Sequence, residues 1–236
     1  MSFYRDFAEV YERVFPVRDA VVDAVCGSLG DGASLVLDVG CGPGHLCARL
    51  EEAGHSCTGI DLDADMIAKA ESDYPDLDVR ALDMRRVADL GGVYDAALCL
   101  GNVLPHLGRV DAMGFLGSLH HQLAANAPWV VQTVNFDRLA GETSWSFPLL
   151  EVGEGLVFER RYEGLDGEDC RFVTRLLREG RELFAGEVSM TPWSIDDLHR
   201  LHRDAGFEVE SIAADPSGTP FDAASSAGRW IVYRRD

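Results

Sequence analysis

Lysine is almost missing from this chain: Lys69 is the only one in 236 residues, and arginine supplies every other basic side chain. Positive charge is scarce in general, with 21 basic residues against 40 acidic ones and a formal net charge of −19. A field of that sign repels phosphate backbones and anionic lipid headgroups, which argues against nucleic acid and membrane partners. A GC-rich genome and a high-salt cytoplasm both account for arginine in place of lysine; the acidic balance fits the second, and both stay open. No run approaches the ~18 apolar residues of a membrane span. Met1-Ser2-Phe3-Tyr4-Arg5-Asp6 has neither the basic start nor the apolar core of a signal peptide. The six cysteines, Cys26, Cys41, Cys47, Cys57, Cys99 and Cys170, form no C-x-x-C pair, which leaves zinc without its usual ligand spacing. They read as reduced core residues of a soluble, cytoplasmic protein. No internal repeat is found.

What is present is enough apolar material, 47% of 236 residues, for one domain with a modest insertion. The first 30 residues carry helical spacing at Phe7, Val10 and Val14, then at Val17, Val21, Val22 and Val25, with Pro16 between two cap helices. From Leu35 onward strand and helix patterns alternate: strands at 35–39, 56–60, 77–81, 94–100 and 128–134, helices at 45–54, 64–73 and 110–125. Alternation of this kind predicts a parallel sheet with helices on both faces and a ligand crevice beyond the strands' carboxyl ends. After Phe136 the texture changes to antiparallel strands around 156–162, 170–177 and 181–190. Ser194 then reads as the N-cap of a helix with Asp197 at the capping-box position, and 229–234 as a last strand. The expected division is a helical cap over 1–30, a core over 31–138, an antiparallel insertion over 139–192, and a C-terminal part over 193–236 that completes the core sheet.

Chemistry concentrates where the first strand ends, in Leu37-Asp38-Val39-Gly40-Cys41-Gly42-Pro43-Gly44-His45. Glycines at alternate positions remove β-carbons from a turn and let a ligand approach the backbone, with helix N-terminal amides behind it. The next strand ends about 20 residues later at Asp61, where a carboxylate can accept both hydroxyls of a ribose. A dinucleotide fingerprint needs G-x-G-x-x-G, but here His45 stands where its last glycine belongs. Asp38, inside the strand, would repel a pyrophosphate but suits a ligand with an ammonium and a sulfonium. That pattern describes S-adenosylmethionine.

The chain at this point resembles the class I S-adenosylmethionine-dependent methyltransferases. Val36 to Gly44 is similar to their first motif, and Gly59-Ile60-Asp61-Leu62-Asp63 with the helical Met66-Ile67-Ala68 to their second. Ala81-Leu82-Asp83-Met84-Arg85 resembles the segment that meets the adenine. Cys99-Leu100-Gly101-Asn102 through His106-Leu107 resembles the fourth-strand motif of the glycine N-methyltransferase-like, small-molecule branch. The resemblance covers roughly residues 35–135. It implies an α/β, Rossmann-like, doubly wound, mostly parallel seven-stranded sheet with an antiparallel β insertion serving as lid or dimer contact. It also implies a cofactor site made by Asp38, Gly40, Cys41, Gly42, Gly44, Asp61, Leu62, Met66, Asp83, Met84, Leu100 and Gly101. Asn102 would lie beside the cofactor and His106 at the mouth of the acceptor pocket, as candidate catalytic residues. The expected partner is a small-molecule acceptor, with a homodimer open.

Methyl transfer from a sulfonium is an in-line displacement with a good leaving group, so alignment and water exclusion matter more than a protein nucleophile. An imidazole at position 106 suits the orienting or deprotonation of an amine or hydroxyl, against a role in simply shaping its loop. Several residues carry two readings. Asp61 is first a ribose ligand, against a helix N-cap; Asp83 first meets the adenine, against a turn aspartate; and Met66 packs under the adenine or ribose, against a core role. Tyr4 and Tyr11 either close over the cofactor or pack the cap. Trp145, Phe147, Phe158, Tyr162 and Trp193 form either an aromatic roof or a buried layer. Arg160, Arg161 and Arg171 meet either a substrate carboxylate or the chain's own glutamates. His120, His121, His199 and His202 belong on a surface or helix face. The acceptor atom stays open among nitrogen, oxygen and ring carbon, although the missing N-P-P-Y signature argues against amide nitrogen. A non-catalytic protein that binds S-adenosylmethionine or its demethylated product is the alternative of another class. An NAD-dependent oxidoreductase is the weaker third.

Overall fold

The computed structural model describes residues 11–30 and 32–236. The expectations about Tyr4, Phe7 and Val10 lie outside those residues.

The alternating pattern becomes a seven-stranded sheet built from β1 (Leu35–Val39), β2 (Ser56–Asp61), β3 (Asp78–Ala81), β4 (Ala96–Cys99), β5 (Pro128–Val134), β11 (Phe207–Ala213) and β12 (Gly228–Arg235). Its order is β11-β12-β5-β4-β1-β2-β3, and β12 alone runs antiparallel to its neighbours. Along β1 the pleat sends Leu37 and Val39 to one face and Val36 to the other. The first face packs Phe115, Leu116 and Leu119 of α5 (Arg109–Gln122) and Leu198 and Leu201 of α6 (Ile195–Asp204). The second packs α2 (Asp19–Leu29), α3 (His45–Glu52) and α4 (Ala64–Asp73), through Val25, Leu50 and Ile67. Near-continuous apolar strands covered by helices on both faces are what a parallel sheet requires. Each fully buried aliphatic side chain adds about 1.5–3 kcal/mol.

Residues β6 (Ser144–Ser146), β7 (Leu150–Glu151), β8 (Leu156–Glu163), β9 (Cys170–Arg178) and β10 (Arg181–Met190) form a second, antiparallel sheet. Its apolar face is anchored at two places. Leu156, Phe158 and Leu176 pack on Met66 and on Val14 of the short helix α1 (Tyr11–Val14), while Tyr162, Cys170 and Met190 pack on Phe136 and Leu139. The sheet is thereby held over the carboxyl ends of the core strands.

Local signals set the helix starts. Asp63 caps α4, accepting from the amides of Asp65 at 2.9 Å and Met66 at 3.2 Å. Ser194 caps α6 by accepting from Asp197 N at 3.1 Å. The expected reciprocal half of that capping box is absent: the short Asp197 carboxylate turns outward to Arg109 at 3.1 Å and to Arg200. No helix among the described residues is long and apolar enough to cross a membrane.

Candidate active site

The strand ends and the second sheet enclose a cavity of about 850 Å³. Its floor begins at the turn after β1. Gly40 has φ 80°, and a β-carbon there would stand 2.6 Å from the Val103 methyls, so the crossing of this turn with the one after β4 admits only glycine. Gly42, φ 54°, donates its amide to Asp61 Oδ2 at 2.9 Å. Asp61 Oδ1 accepts from Asp63 N at 2.9 Å, so two backbone donors aim a carboxylate that still has accepting capacity toward the cavity. Burial raises the Asp61 pKa, opposed by those amides. The cap of α4 is therefore Asp63, and Asp61 is left to the cavity.

Asp83 and Met84 reach the wall after β3. The Asp83 carboxylate accepts from Arg85 N at 2.9 Å and pairs with the Arg85 guanidinium, which holds its pKa below the usual range. Leu62, 73% exposed, and Met66, 2% exposed, line the rim and floor. Gly40, Gly42, Asp61, Leu62, Met66, Asp83, Met84, Gly101, Asn102 and His106 thus share one wall, as their positions at the strand ends require.

Asp38, Cys41, Gly44 and Leu100 stand behind that wall. Gly44, φ 80°, starts α3, where a β-carbon would press Ala70 at 3.2 Å and Leu77 at 3.3 Å. Cys41 packs its sulfur against Gly59, and Leu100 packs on the second core face. Asp38 is 3% exposed and accepts from Cys47 Sγ at 3.7 Å. Desolvation there pushes its pKa up to about 7.

The turn after β4 carries the polar machinery. Gln132 Oε1 accepts from Gly101 N at 2.7 Å, and Gln132 O from Asn102 N at 3.1 Å. Asn102 sits at φ 65°, a left-handed conformation that asparagine tolerates. Its Oδ1 accepts from Val134 N at 2.9 Å and its Nδ2 donates to the Tyr162 hydroxyl at 3.1 Å. Asn102 Nδ2 also lies 3.5 Å from Met190 Sδ, so the residue ties the core sheet to the roof. His106, within one short 3-10 turn, opens onto the cavity between its walls, and its ring makes no hydrogen bond to any described residue. Desolvation lowers its pKa, which keeps the imidazole neutral at pH 7. Thr191 N donates to Pro105 O at 2.8 Å, joining the end of the second sheet to the His106 turn.

The aromatic roof is made by Phe147, Phe158, Tyr162, Phe172 and Phe184. Trp145 and Trp193 do not belong to it. Trp193 is buried in the core under Arg109, and Trp145 packs beneath Arg138 beside a smaller cavity of about 220 Å³. Tyr11 closes the near side, its ring 3.7 Å from where a Gly42 β-carbon would stand. Arg161 and Arg171 both pair with Glu163, so the chain's own glutamate takes them. Arg160 lines the cavity and has no carboxylate partner among the described residues. His202, on the buried face of α6, is fully enclosed, bonded to Trp129 Nε1 at 3.0 Å and stacked on Tyr233 at 3.8 Å. No group of three or more potential metal ligands occurs among the described residues. Sequence reading passed over Gln132, Val103 and Thr174; the one available signal was a lone glutamine inside the apolar strand Pro128–Val134.

A family model described as a methyltransferase domain matches residues 36–126. The chain is 28% identical over 204 residues to a glycine/sarcosine N-methyltransferase of Halorhodospira halochloris, covering 81% of this chain and 72% of that protein. It is 27% identical over 191 residues to a dTDP-3-amino-3,6-dideoxy-alpha-D-glucopyranose N,N-dimethyltransferase of Streptomyces fradiae, covering 79% and 74%. In fold it matches a SAM-bound amino pentose methyltransferase of Micromonospora echinaspora, with TM-score 0.74 and 22% identity over 100% of this chain and 99% of that one.

Proposed function

We propose that this chain, which is a class I S-adenosylmethionine-dependent methyltransferase acting on a small molecule, methylates an amine nitrogen whose proton leaves to His106. The observation that carries the reading is His106 itself: a neutral imidazole on the cavity wall whose ring makes no hydrogen bond to any described residue. Both sequence relatives are N-methyltransferases by name, which supports nitrogen over oxygen.

The residues present fit the cofactor. Gly42 and Gly101 bring backbone without β-carbons to the wall, and nothing lies within 4 Å of where a Gly101 β-carbon would be. Asp61, fixed by two amides, would hold the ribose hydroxyls; Asp83, Met84 and Leu62 would surround the adenine; Gly40 and Gly42 would face the methionyl part. When bound, S-adenosylmethionine supplies a methyl carbon on a sulfonium, open to displacement by a lone pair.

The chain's remaining task is to orient an uncharged amine and exclude water. The amine nitrogen would gain the bond to carbon as the carbon–sulfur bond breaks and the sulfur leaves as a neutral thioether, and the proton the nitrogen sheds has a receptor in the neutral His106 ring. The aromatic roof would limit water at the site, and Asn102 fixes the roof through Tyr162. Asn102 is read as a positioning residue, since its Oδ1 accepts from Val134 N and its Nδ2 donates to the Tyr162 hydroxyl and to Met190 Sδ.

The same proposal excludes nucleic acid as acceptor, on the formal charge of −19. It takes the six free cysteines as signs of a cytosolic enzyme. It also includes a homodimer through the second sheet, where one edge of β10 has no strand partner among the described residues. The test is transfer of radiolabelled methyl from S-adenosylmethionine to a panel of amines and phenols, with His106→Gln beside the wild type. Expected are amine products only, and for the variant a fall of at least tenfold in kcat with S-adenosylhomocysteine affinity changed less than twofold. The acid limb of the wild-type kcat/KM profile should lie below pH 6.5. Phenol products, or a variant with wild-type kcat, would overturn the reading.

A further inference from the structure

On β8 the residues Leu156, Phe158, Arg160 and Tyr162 fall at alternate positions, so an arginine occupies the face of the strand that is otherwise buried. Its register neighbour is Thr174 on β9, which in turn faces Gly186 on β10. Beside small neighbours, the half-buried guanidinium lies among three rings, 4.9 Å from Phe147, 5.8 Å from Phe15 and 5.9 Å from Phe158. Rings attract the charge but offer no acceptor in the plane of its five N–H donors. Among the described residues the buried Nε has no hydrogen-bond partner, and the side chain forms no ion pair.

Scarcity of acid does not explain this, since the chain holds 40 acidic residues against 21 basic ones. The carboxylates on the cavity wall are committed elsewhere. Asp61 serves two backbone amides, Asp63 caps α4, Asp83 and Asp111 pair with Arg85, and Glu187 faces Arg171 at 3.7 Å. Of the other arginines on β8 and β9, Arg161, Arg171 and Arg175 have glutamate partners, and Arg178, at the exposed end of β9, has none among the described residues. A planar fork of donors left open in an apolar compartment matches an oxyanion brought from outside.

We infer that Arg160 anchors the acceptor, and that the acceptor is an amine carrying an oxyanion, carboxylate or phosphate, on a flat apolar frame that lies among Phe147, Phe158 and Tyr162. The inference rests on the methyl-transfer reading above and adds the substrate class to it. The anion fixes one end of the molecule and leaves the amine free at the other.

The test uses the whole protein loaded with S-adenosylhomocysteine and measures binding of phenylacetate, phenyl phosphate and neutral phenylacetamide by calorimetry. The wild type should bind one anion at least tenfold more tightly than phenylacetamide, and the better of the two identifies carboxylate or phosphate as the source. Arg160→Gln should reduce both anions to the level of phenylacetamide while S-adenosylhomocysteine affinity changes less than twofold. Arg160→Met, apolar among the three rings, gives the same readout should the glutamine variant not fold. Equal binding of anions and amide by the wild type, or an anion preference surviving both substitutions, would overturn the inference. So would a tenfold loss of S-adenosylhomocysteine affinity in the variants, which would put Arg160 on the cofactor instead. Failure of the wild type to bind S-adenosylhomocysteine at all would sink the methyl-transfer reading first.

Discussion

Asp38 is the residue whose sequence position and spatial position part company. Two residues before the first glycine it reads as a ligand group, yet the pleat of β1 turns it toward Cys47 on the covered face of the sheet. Burial raises its pKa from 3.8 to about 7. The sign follows from proton counting. Between these two values the folded chain keeps a proton that the unfolded chain has lost, so stability is full below the lower value, falls as pH rises toward about 7, and levels off above it, where both states are ionised. Three pH units correspond to about 4 kcal/mol as an upper bound. The apo protein should therefore melt lower at pH 8 than at pH 5.5, and Asp38→Asn should remove most of that difference, by scanning calorimetry. An unchanged slope in the variant would assign the dependence to other groups. Asp61 and Asp63 make the complementary case: in sequence either carboxylate could start α4, and only the 2.9 Å bonds from Gly42 N and Asp63 N divide the roles.

Among elements, the contact that decides the site is the one between the turn after β4 and the second sheet. A single left-handed asparagine bridges Val134 of β5 and Tyr162 of β8. Asn102→Ala should destabilise by roughly 2–4 kcal/mol, through two lost hydrogen bonds and a left-handed backbone without its usual residue. Tyr162→Phe removes only the hydroxyl and should cost about 1 kcal/mol. In the Asn102→Ala background the tyrosine change should cost almost nothing more, because the two residues act on one bond. Urea unfolding of the four proteins measures this; full additivity would mean the sheet is held by its apolar anchors alone. The helices and core strands were legible from periodicity to within a few residues at their ends. The coupling of Asn102 to Tyr162 was not, since 60 residues separate them and neither type signals the other.

At the scale of the whole molecule, a net charge of −19 spreads over a surface carrying many Arg–carboxylate pairs. Exposed pairs are each worth about 0–1 kcal/mol and weaken with salt, whereas self-repulsion of the net charge is relieved by it. Repulsion should dominate here, because acidic residues outnumber basic ones nearly twofold, 40 to 21. Each kcal/mol relieved raises the melting temperature of a chain this size by roughly 2–4 °C. The melting temperature should rise by several degrees between ~0.05 M and ~1 M KCl, beyond where screening reaches across the molecule. A fall would make the ion pairs the stronger contributor.

Local chemistry along the chain was enough to specify the α/β alternation, the glycine turn after β1 and the aspartate after β2, because apolar period, φ freedom and strand-end position act over a few residues. Which carboxylate faces the cavity, how Gly44 serves packing while Gly42 lines the cavity beneath Tyr11, and why Arg160 has no carboxylate partner among the described residues when Arg161 has one, were settled only by long-range contact. Those outcomes depend on which face of a strand meets a neighbour far off in sequence, and one step of the pleat moves a side chain from the roof of the site to the surface.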